Sequence, residues 1–318
     1  MPPYDDFQRY LAAKVTVDDR ALNKDVWARL ADGVRPLHAR PLRVLEMGAG
    51  IGSMAQRLWR WRLHPHILYT GVDVSPQNII HARQTLRAWA RRQGASVLET
   101  QTGFVMHTPQ RQMTLSLAAE DALTFVQRPE QQAAWDLLIA HAFLDLVDIA
   151  TALPRLLATL EPGGFGYFTI NFDGLTLFEP TLDETFEARL MTLYHRSMDA
   201  RFIDGRPAGD SRTGRRLFAQ LQKAGARVLA AGASDWVVIP REDGYPDDEA
   251  YFLHAIIHTV HRELAGHPEL DRAQVDAWAQ MRHAQIERGE LLYIAHQLDY
   301  LVKREGSQQG KHLDDEGR

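Results

Sequence analysis

The run Val44-Leu45-Glu46-Met47-Gly48-Ala49-Gly50-Ile51-Gly52-Ser53-Met54 constrains this chain more than any other stretch. It reads as the end of an apolar strand, a loop with glycine at every second position, and the start of a helix. Glycines spaced this way let a backbone turn sharply and lie close to a ligand. The helix that follows begins with N–H groups that have no partner inside it. In an α/β chain such a unit is a nucleotide-type binding edge. Dinucleotide sites use Gly-x-Gly-x-x-Gly, with a pyrophosphate on the helix N-terminus. Here the third glycine comes one residue early, and Glu46 suits a cationic ligand better than a pyrophosphate.

Four more apolar runs follow in an α/β rhythm. Leu68-Tyr69-Thr70-Gly71-Val72-Asp73 predicts a second strand ending in an acid, 21 residues after Gly52. A carboxylate there can accept hydrogen bonds from both ribose hydroxyls of a nucleoside. Val74 follows it, and Ser75-Pro76 then opens a helix, with serine as N-cap and proline in the first turn. Met113–Ala119 predicts a third strand, with Glu120 and Asp121 at its end. Trp135–Asp148 contains a continuous apolar run, as in a central parallel strand buried on both faces. His141, Ala142 and Phe143 would lie at its ligand-facing end. A fifth strand, 163–172, follows the turn Glu161-Pro162-Gly163-Gly164.

The spacing of the glycine loop, together with Glu46, resembles motif I of the class I S-adenosylmethionine-dependent methyltransferases. Asp73, the acidic pair 120–121 and the Pro-Gly-Gly turn follow in that family's order over about residues 40–173. The resemblance implies a Rossmann-like, seven-stranded, mostly parallel sheet with helices on both faces. It implies S-adenosylmethionine as cofactor, with S-adenosylhomocysteine as product. The residues expected to bind it are Glu46, Gly48, Ala49, Gly50, Gly52, Asp73, Val74, Glu120, Asp121, His141 and Ala142. Asp121, with Glu120 close behind, matches the acid that accepts the adenine amino group in that family.

The chain divides into three parts on this reading. Residues 1–33 are an N-terminal helical lid, broken at Thr16–Arg20. Residues 34–303 are the methyltransferase domain, with a substrate-cover insertion at 174–210 after strand five and helices over 244–289 before the last strand. Residues 304–318 form a polar tail. Strand six is expected over 227–240, interrupted near 232–235. Tyr4, Phe7 and Tyr10 on the lid, and Asn171, Phe178, Tyr194, His195 and Arg201 around the insertion, are candidates for the substrate pocket. His254, His258 and His261 share one face of a helix; His254 is a further pocket candidate, and no metal site is assigned to the stripe.

Composition narrows the partners. The 318 residues are 45% hydrophobic, enough for a sizeable core, and carry a net charge of −5. That balance argues against a large nucleic-acid footprint. The absence of cysteine excludes disulfides and thiolate chemistry. With neither a membrane-length apolar run nor the pattern of a signal peptide, a cytoplasmic enzyme without a membrane partner is expected.

Methyl transfer from a sulfonium needs alignment, exclusion of water and, for hydroxyl or ammonium acceptors, a base. His141 is the first candidate, with Asp145 and His195 behind it. A small-molecule acceptor is the leading expectation, with O-, N- or C-methylation left open. The alternatives are an RNA or protein methyltransferase, a non-catalytic scaffold of the same fold, and a nicotinamide-dependent oxidoreductase, which the glycine spacing disfavours.

Overall fold

A computed structural model describes residues 4–203 and 205–306. The expectations for residues 1–3, Asp204 and 307–318 lie outside the described residues. Three helices come first: α1 (Phe7–Ala13), α2 (Val15–Ala21) and α3 (Lys24–Val34). Asp6 caps α1 by accepting the Arg9 N–H, and Asn23 caps α3 by accepting those of Asp25 and Val26. The run 16–20, expected as a break, lies inside α2 instead. Burial of Val17 and Asp18 outweighs its polar composition, and the interruptions fall at Lys14 and at Leu22–Asn23.

The α/β region then runs β1 (Leu42–Met47), α4 (Ser53–Arg60), β2 (His66–Asp73), α5 (Pro76–Arg92), β3 (Ser96–Glu99), β4 (Gly103–Thr108), β5 (Arg111–Ala119), α6 (Ala122–Val126), β6 (Trp135–His141), α7 (Ile149–Ala158) and β7 (Leu160–Glu179). The remainder is α8 (Glu184–Asp199), the short pair β8 (Phe202–Ile203) and β9 (Arg206–Pro207), α9 (Thr213–Lys223), β10 (Ala226–Ala233), β11 (Trp236–Val238), α10 (Glu249–Leu264), α11 (Arg272–Glu287) and β12 (Leu292–Arg304).

The main sheet has the order β10-β12-β7-β6-β1-β2-β5-β4-β3, with β11 also paired to β12. The expected seven strands are therefore ten. The β3–β4 hairpin was not legible because its strands are only four and six residues long, and it is held by pairing with β5 and by burial of Phe104 and Met106. The single strand expected over 227–240 is two, β10 and β11, both on β12. Nor is the sheet mostly parallel. Strands β5, β2, β1, β6 and β7 are parallel neighbours, whereas β12, β10, β11, β4 and β3 join by antiparallel pairing. The result is a Rossmann-like parallel centre with antiparallel wings.

Burial explains the parallel centre. Leu42, Val44, Leu45 and Met47 of β1 and Leu137–Ala140 of β6 are fully buried. One face of the sheet is covered by Leu30, Val34, Met54, Leu58 and Leu86 from α3, α4 and α5. The other is covered by Phe125, Leu153, Leu156, Leu217 and Leu221 from α6, α7 and α9. With both faces dry, these strands read as unbroken apolar runs rather than alternating ones.

β1 lies between β2 and β6, so the chain leaves it in opposite directions along the sheet. That reversal opens a crevice at the carboxyl ends of the strands. The register brings Met47 beside Val72 and Ala140, Asp73 beside Ala119, and His141 beside Thr169, forming one continuous edge. β7 and β12 continue past that edge, and α8 and α11 pack on the extension, where Phe178 meets the rings of Trp278 and Tyr293. Buried Arg282 ties them together through Glu187 and the carbonyls of Pro180 and Phe178.

Candidate active site

The glycine loop adopts a conformation that its sequence requires. Gly48, Gly50 and Gly52 have φ of 67°, 53° and 80°. A side chain at Gly48 would strike the Phe143 ring at 2.7 Å, and one at Gly52 would strike Leu86 at 2.6 Å. At Gly50 the nearest side-chain atom to an added Cβ is on Leu11 of α1, at 3.3 Å. The loop is therefore floored by the sheet and roofed by the N-terminal helix.

Asp73 holds the loop from the neighbouring strand. Its Oδ2 accepts the Gly50 N–H at 2.8 Å, and its Oδ1 accepts the Ser75 N–H at 2.9 Å and the Asn78 amide at 3.1 Å. Oδ2, with one donor, keeps a second lone pair for a ligand hydroxyl. Ala49 donates its N–H to the Val72 carbonyl, closing the turn. Val74 is exposed. Glu120 donates its N–H to the Asp73 carbonyl and pairs with Arg128 at 2.6 Å, while Asp121 caps α6 by accepting the Thr124 N–H.

Glu46 lies beneath the loop, 1% exposed, where its Oε2 accepts the Tyr69 hydroxyl at 2.5 Å. Burial pushes its carboxyl up to about 8, against the opposing pull of Tyr69 and Arg57. It thus braces the turn from inside the sheet.

His141 is also enclosed. Its Nδ1 lies 2.8 Å from Thr169 Oγ1 and its Nε2 lies 3.0 Å from Asp18 Oδ2, with Arg57 Nη1 at 3.3 Å. Burial pushes the ring down to about 4, although Asp18 opposes it. Neither nitrogen of this neutral ring is left to take a proton from an acceptor, contrary to the expectation that it is the base. Ala142, with φ of 50°, donates its N–H to the Thr169 carbonyl and turns the chain toward Asp145.

Asp145 has a different environment. Its Oδ1 is closed off from solvent with no hydrogen-bond partner among the described residues. Burial raises its carboxyl to about 6, opposed by its own backbone N–H, Lys14 and Arg201.

The expected pocket residues separate in the fold. Tyr10 turns inward, where its ring stacks on Phe252 at 5.8 Å and it feels the charges of Asp18 and Asp145. Tyr194 is buried in α8 and feels Arg201 and Asp145. Phe7, by contrast, is 53% exposed. Tyr4 stacks on His254 and His283, at 4.7 and 5.1 Å. Asn171 is committed to the sheet, donating to the Leu298 carbonyl. His195 lies 3.1 Å from the Thr176 hydroxyl. His254, His258 and His261 do not converge, because each has its own partner in His283, Asp5 and Asp276. Among the described residues there is no group of three or more histidine or acidic side chains able to hold a metal.

Sequence reasoning missed the buried charges beneath the lid. Asp18 accepts the Trp236 indole N–H at 2.8 Å and lies 3.3 Å from Lys14 and 3.5 Å from Arg57. Burial alone would raise its carboxyl, but Lys14, His141 and Arg57 hold it well below the usual carboxylate range. Arg57, itself fully buried, also binds Asp19 at 2.7 Å. The polar run 16–20 carried no sign that its acids point inward; only its helical spacing from Lys14 hinted at an ion pair.

No protein-family model matches the sequence, and no curated protein matches it. Solved structures do. The chain is similar to S-adenosylmethionine-dependent methyltransferases. One is such an enzyme from Thiobacillus denitrificans in complex with S-adenosyl-L-homocysteine, at TM-score 0.43 and 18% identity, covering 89% of this chain and 93% of that one. A geranyl diphosphate methyltransferase in complex with S-adenosylmethionine gives TM-score 0.43 and 9% identity, over 96% and 92% of the two chains. The geranyl diphosphate C-methyltransferase of Streptomyces coelicolor A3(2), bound to Mg2+, geranyl diphosphate and S-adenosyl-L-homocysteine, gives 0.41 and 8%, over 87% and 77%.

Proposed function

We propose that this protein is an S-adenosylmethionine-dependent methyltransferase acting on a small-molecule acceptor. The observation that carries the reading is the left-handed Gly48-Gly50-Gly52 loop held by Asp73 at the switch point of the sheet. The loop fits a closely bound ligand: a Cβ at Gly50 would be strained at its φ of 53°, whereas glycine lets the backbone lie close to a ligand. Asp73 would hold the ribose and Glu120 or Asp121 the adenine edge. The Gly48–Gly52 backbone would hold the methionine end.

When bound, the cofactor supplies an activated methyl group. The chain's own residues orient, enclose and neutralise. Helices α1 and α2 exclude water by lying over the loop, clamped to α10 through Arg9–Asp248 at 3.0 Å and Arg20–Glu249 at 2.5 and 2.8 Å. Glu46 braces the turn from within, and His141 fixes the end of β6 through Thr169 and Asp18. Asp145 is the group positioned to take a proton, since burial brings its carboxyl to about 6.

Calorimetric titration tests the reading. Binding of S-adenosylhomocysteine by the folded chain, with none of NAD, is the expected result. Binding of NAD alone would replace the methyltransferase reading with an oxidoreductase one, and binding of neither ligand would favour a scaffold role.

A further inference from the structure

We propose that Gln8 of α1 is a positioning residue for Asp73, acting through the Asn78 amide to aim the carboxylate at the ribose of a bound nucleoside. The inference deepens the methyltransferase reading and rests on it for the nucleoside.

Three side chains from three elements form one line of hydrogen bonds. Gln8 Nε2 donates to Asn78 Oδ1 at 2.9 Å, and Asn78 Nδ2 donates to Asp73 Oδ1 at 3.1 Å. Asp73 ends β2, Asn78 stands in the first turn of α5, and Gln8 lies in α1, 70 residues before Asn78. The line can run only one way. A carboxylate accepts and does not donate, so Asn78 must turn its NH2 group to Asp73 and its oxygen to Gln8. The side chain at position 8 must then be a donor.

The result at Asp73 is asymmetric. Oδ1 takes two donors, the Asn78 amide and the Ser75 N–H at 2.9 Å, whereas Oδ2 takes only the Gly50 N–H at 2.8 Å. The lone pair left on Oδ2 therefore lies beside the glycine loop, where a ribose hydroxyl would meet it. Asp73 and Asn78 are 8% and 3% exposed, so water replaces a lost partner poorly. Without the Gln8 donor the Asn78 amide loses the bond that holds its oxygen away from Asp73.

Packing between the two helices does not account for this contact. The seam between α1 and α5 is an open groove of about 540 Å3, lined by Gln8, Ala12, Gln77 and Ile80 among others. The same helix lies over the loop through Leu11, next to Gly50. One short helix thus reaches both the loop and the acid that holds it. A ribose held better when α1 is seated must by linkage also favour the seated helix.

The test separates aiming of Asp73 from simple cover. The full chain is titrated calorimetrically at pH 7.5 with adenosine and with 2′,3′-dideoxyadenosine, which lacks the ribose hydroxyls. The wild type is expected to prefer adenosine at least tenfold. Gln8→Glu keeps the shape but presents an ionised acceptor. It should cut that preference by about threefold or more, the worth of one hydrogen bond, and leave dideoxyadenosine unchanged. Gln8→Lys restores a donor and should restore the preference. Asn78→Ala should match Gln8→Glu, and the two together should lose no more than Asn78→Ala alone. Gln8 is only partly buried, so its two variants carry the test if Asn78→Ala fails to fold. An unchanged preference in Gln8→Glu, an equal loss for both nucleosides, or no recovery in Gln8→Lys would overturn the positioning role while the cofactor reading stands. Binding of neither nucleoside nor S-adenosylhomocysteine by the wild type would remove the cofactor reading and the proposal with it.

Discussion

Asp18 Oδ2 lies 3.0 Å from His141 Nε2, joining the second helix of the chain to the carboxyl end of its central strand across 123 residues. Beside a carboxylate, Nε2 carries the ring proton, which leaves Nδ1 to accept the Thr169 hydroxyl at 2.8 Å. The histidine is thereby oriented and neutral. Asp18 also binds Trp236, so one buried carboxylate connects the N-terminal helices, the core sheet and β11.

Removing that carboxylate should be severe. Asp18→Ala leaves Arg57 and Lys14 buried with less compensation, and breaking a buried ion pair costs about 3–5 kcal/mol. Urea unfolding followed by tryptophan fluorescence is expected to show a loss of that order. A loss below about 1 kcal/mol would mean that the cluster adds little to the fold.

The glycine loop predicts a separable defect. Gly50→Val places a β-branched residue at a φ of 53° and should weaken S-adenosylhomocysteine at least tenfold in calorimetry. Asp73→Ala removes both the carboxylate and the acceptor of the Gly50 N–H, with a similar loss. Both chains should keep the far-ultraviolet circular dichroism of the wild type. Wild-type affinity in both would place the cofactor elsewhere.

Glu46 makes stability depend on pH in an unusual direction. Folding raises its carboxyl from 4.5 to about 8. The folded protein therefore holds a proton that the unfolded chain releases between pH 4.5 and 8, so this residue costs stability progressively as pH rises through that window and no further above it. Glu46→Gln keeps an acceptor for Tyr69 without the ionisation. Each tenfold change in proton affinity is worth ~1.4 kcal/mol, so the variant should gain several kcal/mol relative to wild type at pH 8 and little at pH 4.5. Thermal melts at the two pH values decide it; a constant difference would show that Glu46 is ionised in the fold.

The histidines at the α10–α11 contact act in the opposite sense. His283 lies 2.7 Å from His254, nitrogen to nitrogen, under the Tyr4 ring. Burial, followed by repulsion from His254, His258 and His261, lowers it to about 4. The acids Asp5, Asp276 and Glu287 also bear on this cluster. A folded-state value below the ordinary 6.5 means that its contribution is fully present above pH 6.5 and is lost as pH falls toward 4. His283→Gln should lose less melting temperature than the wild type between pH 7.5 and 5. Equal losses would place the acid sensitivity elsewhere.

The glycine loop was legible because its chemistry is local. A turn at positive φ demands glycine at Gly48, Gly50 and Gly52, and a strand buried on both faces demands the apolar runs of β1 and β6. Their spacing along the chain carries the loop, the acid at Asp73 and the order of the parallel strands. Asp145 could be named from its place after β6, but not singled out, because its missing partner is a property of the packed interior. Phe7 and Tyr4 looked equivalent to Tyr10 on one helical stretch, yet Phe7 is exposed, Tyr4 stacks on His254 and Tyr10 stacks on Phe252.

From the sequence alone follow the glycine turn, the parallel strands and the acid beside them, since each is set by backbone sterics and by burial pattern within a few residues. Tertiary structure alone decided the ten-stranded sheet, the enclosure of His141 and Glu46, and the union of Asp18 with Arg57 and Trp236. The side-chain contacts among those join residues 23 to 218 apart along the chain. Burial then changes the proton affinity of the groups that meet there, and no local pattern encodes that change.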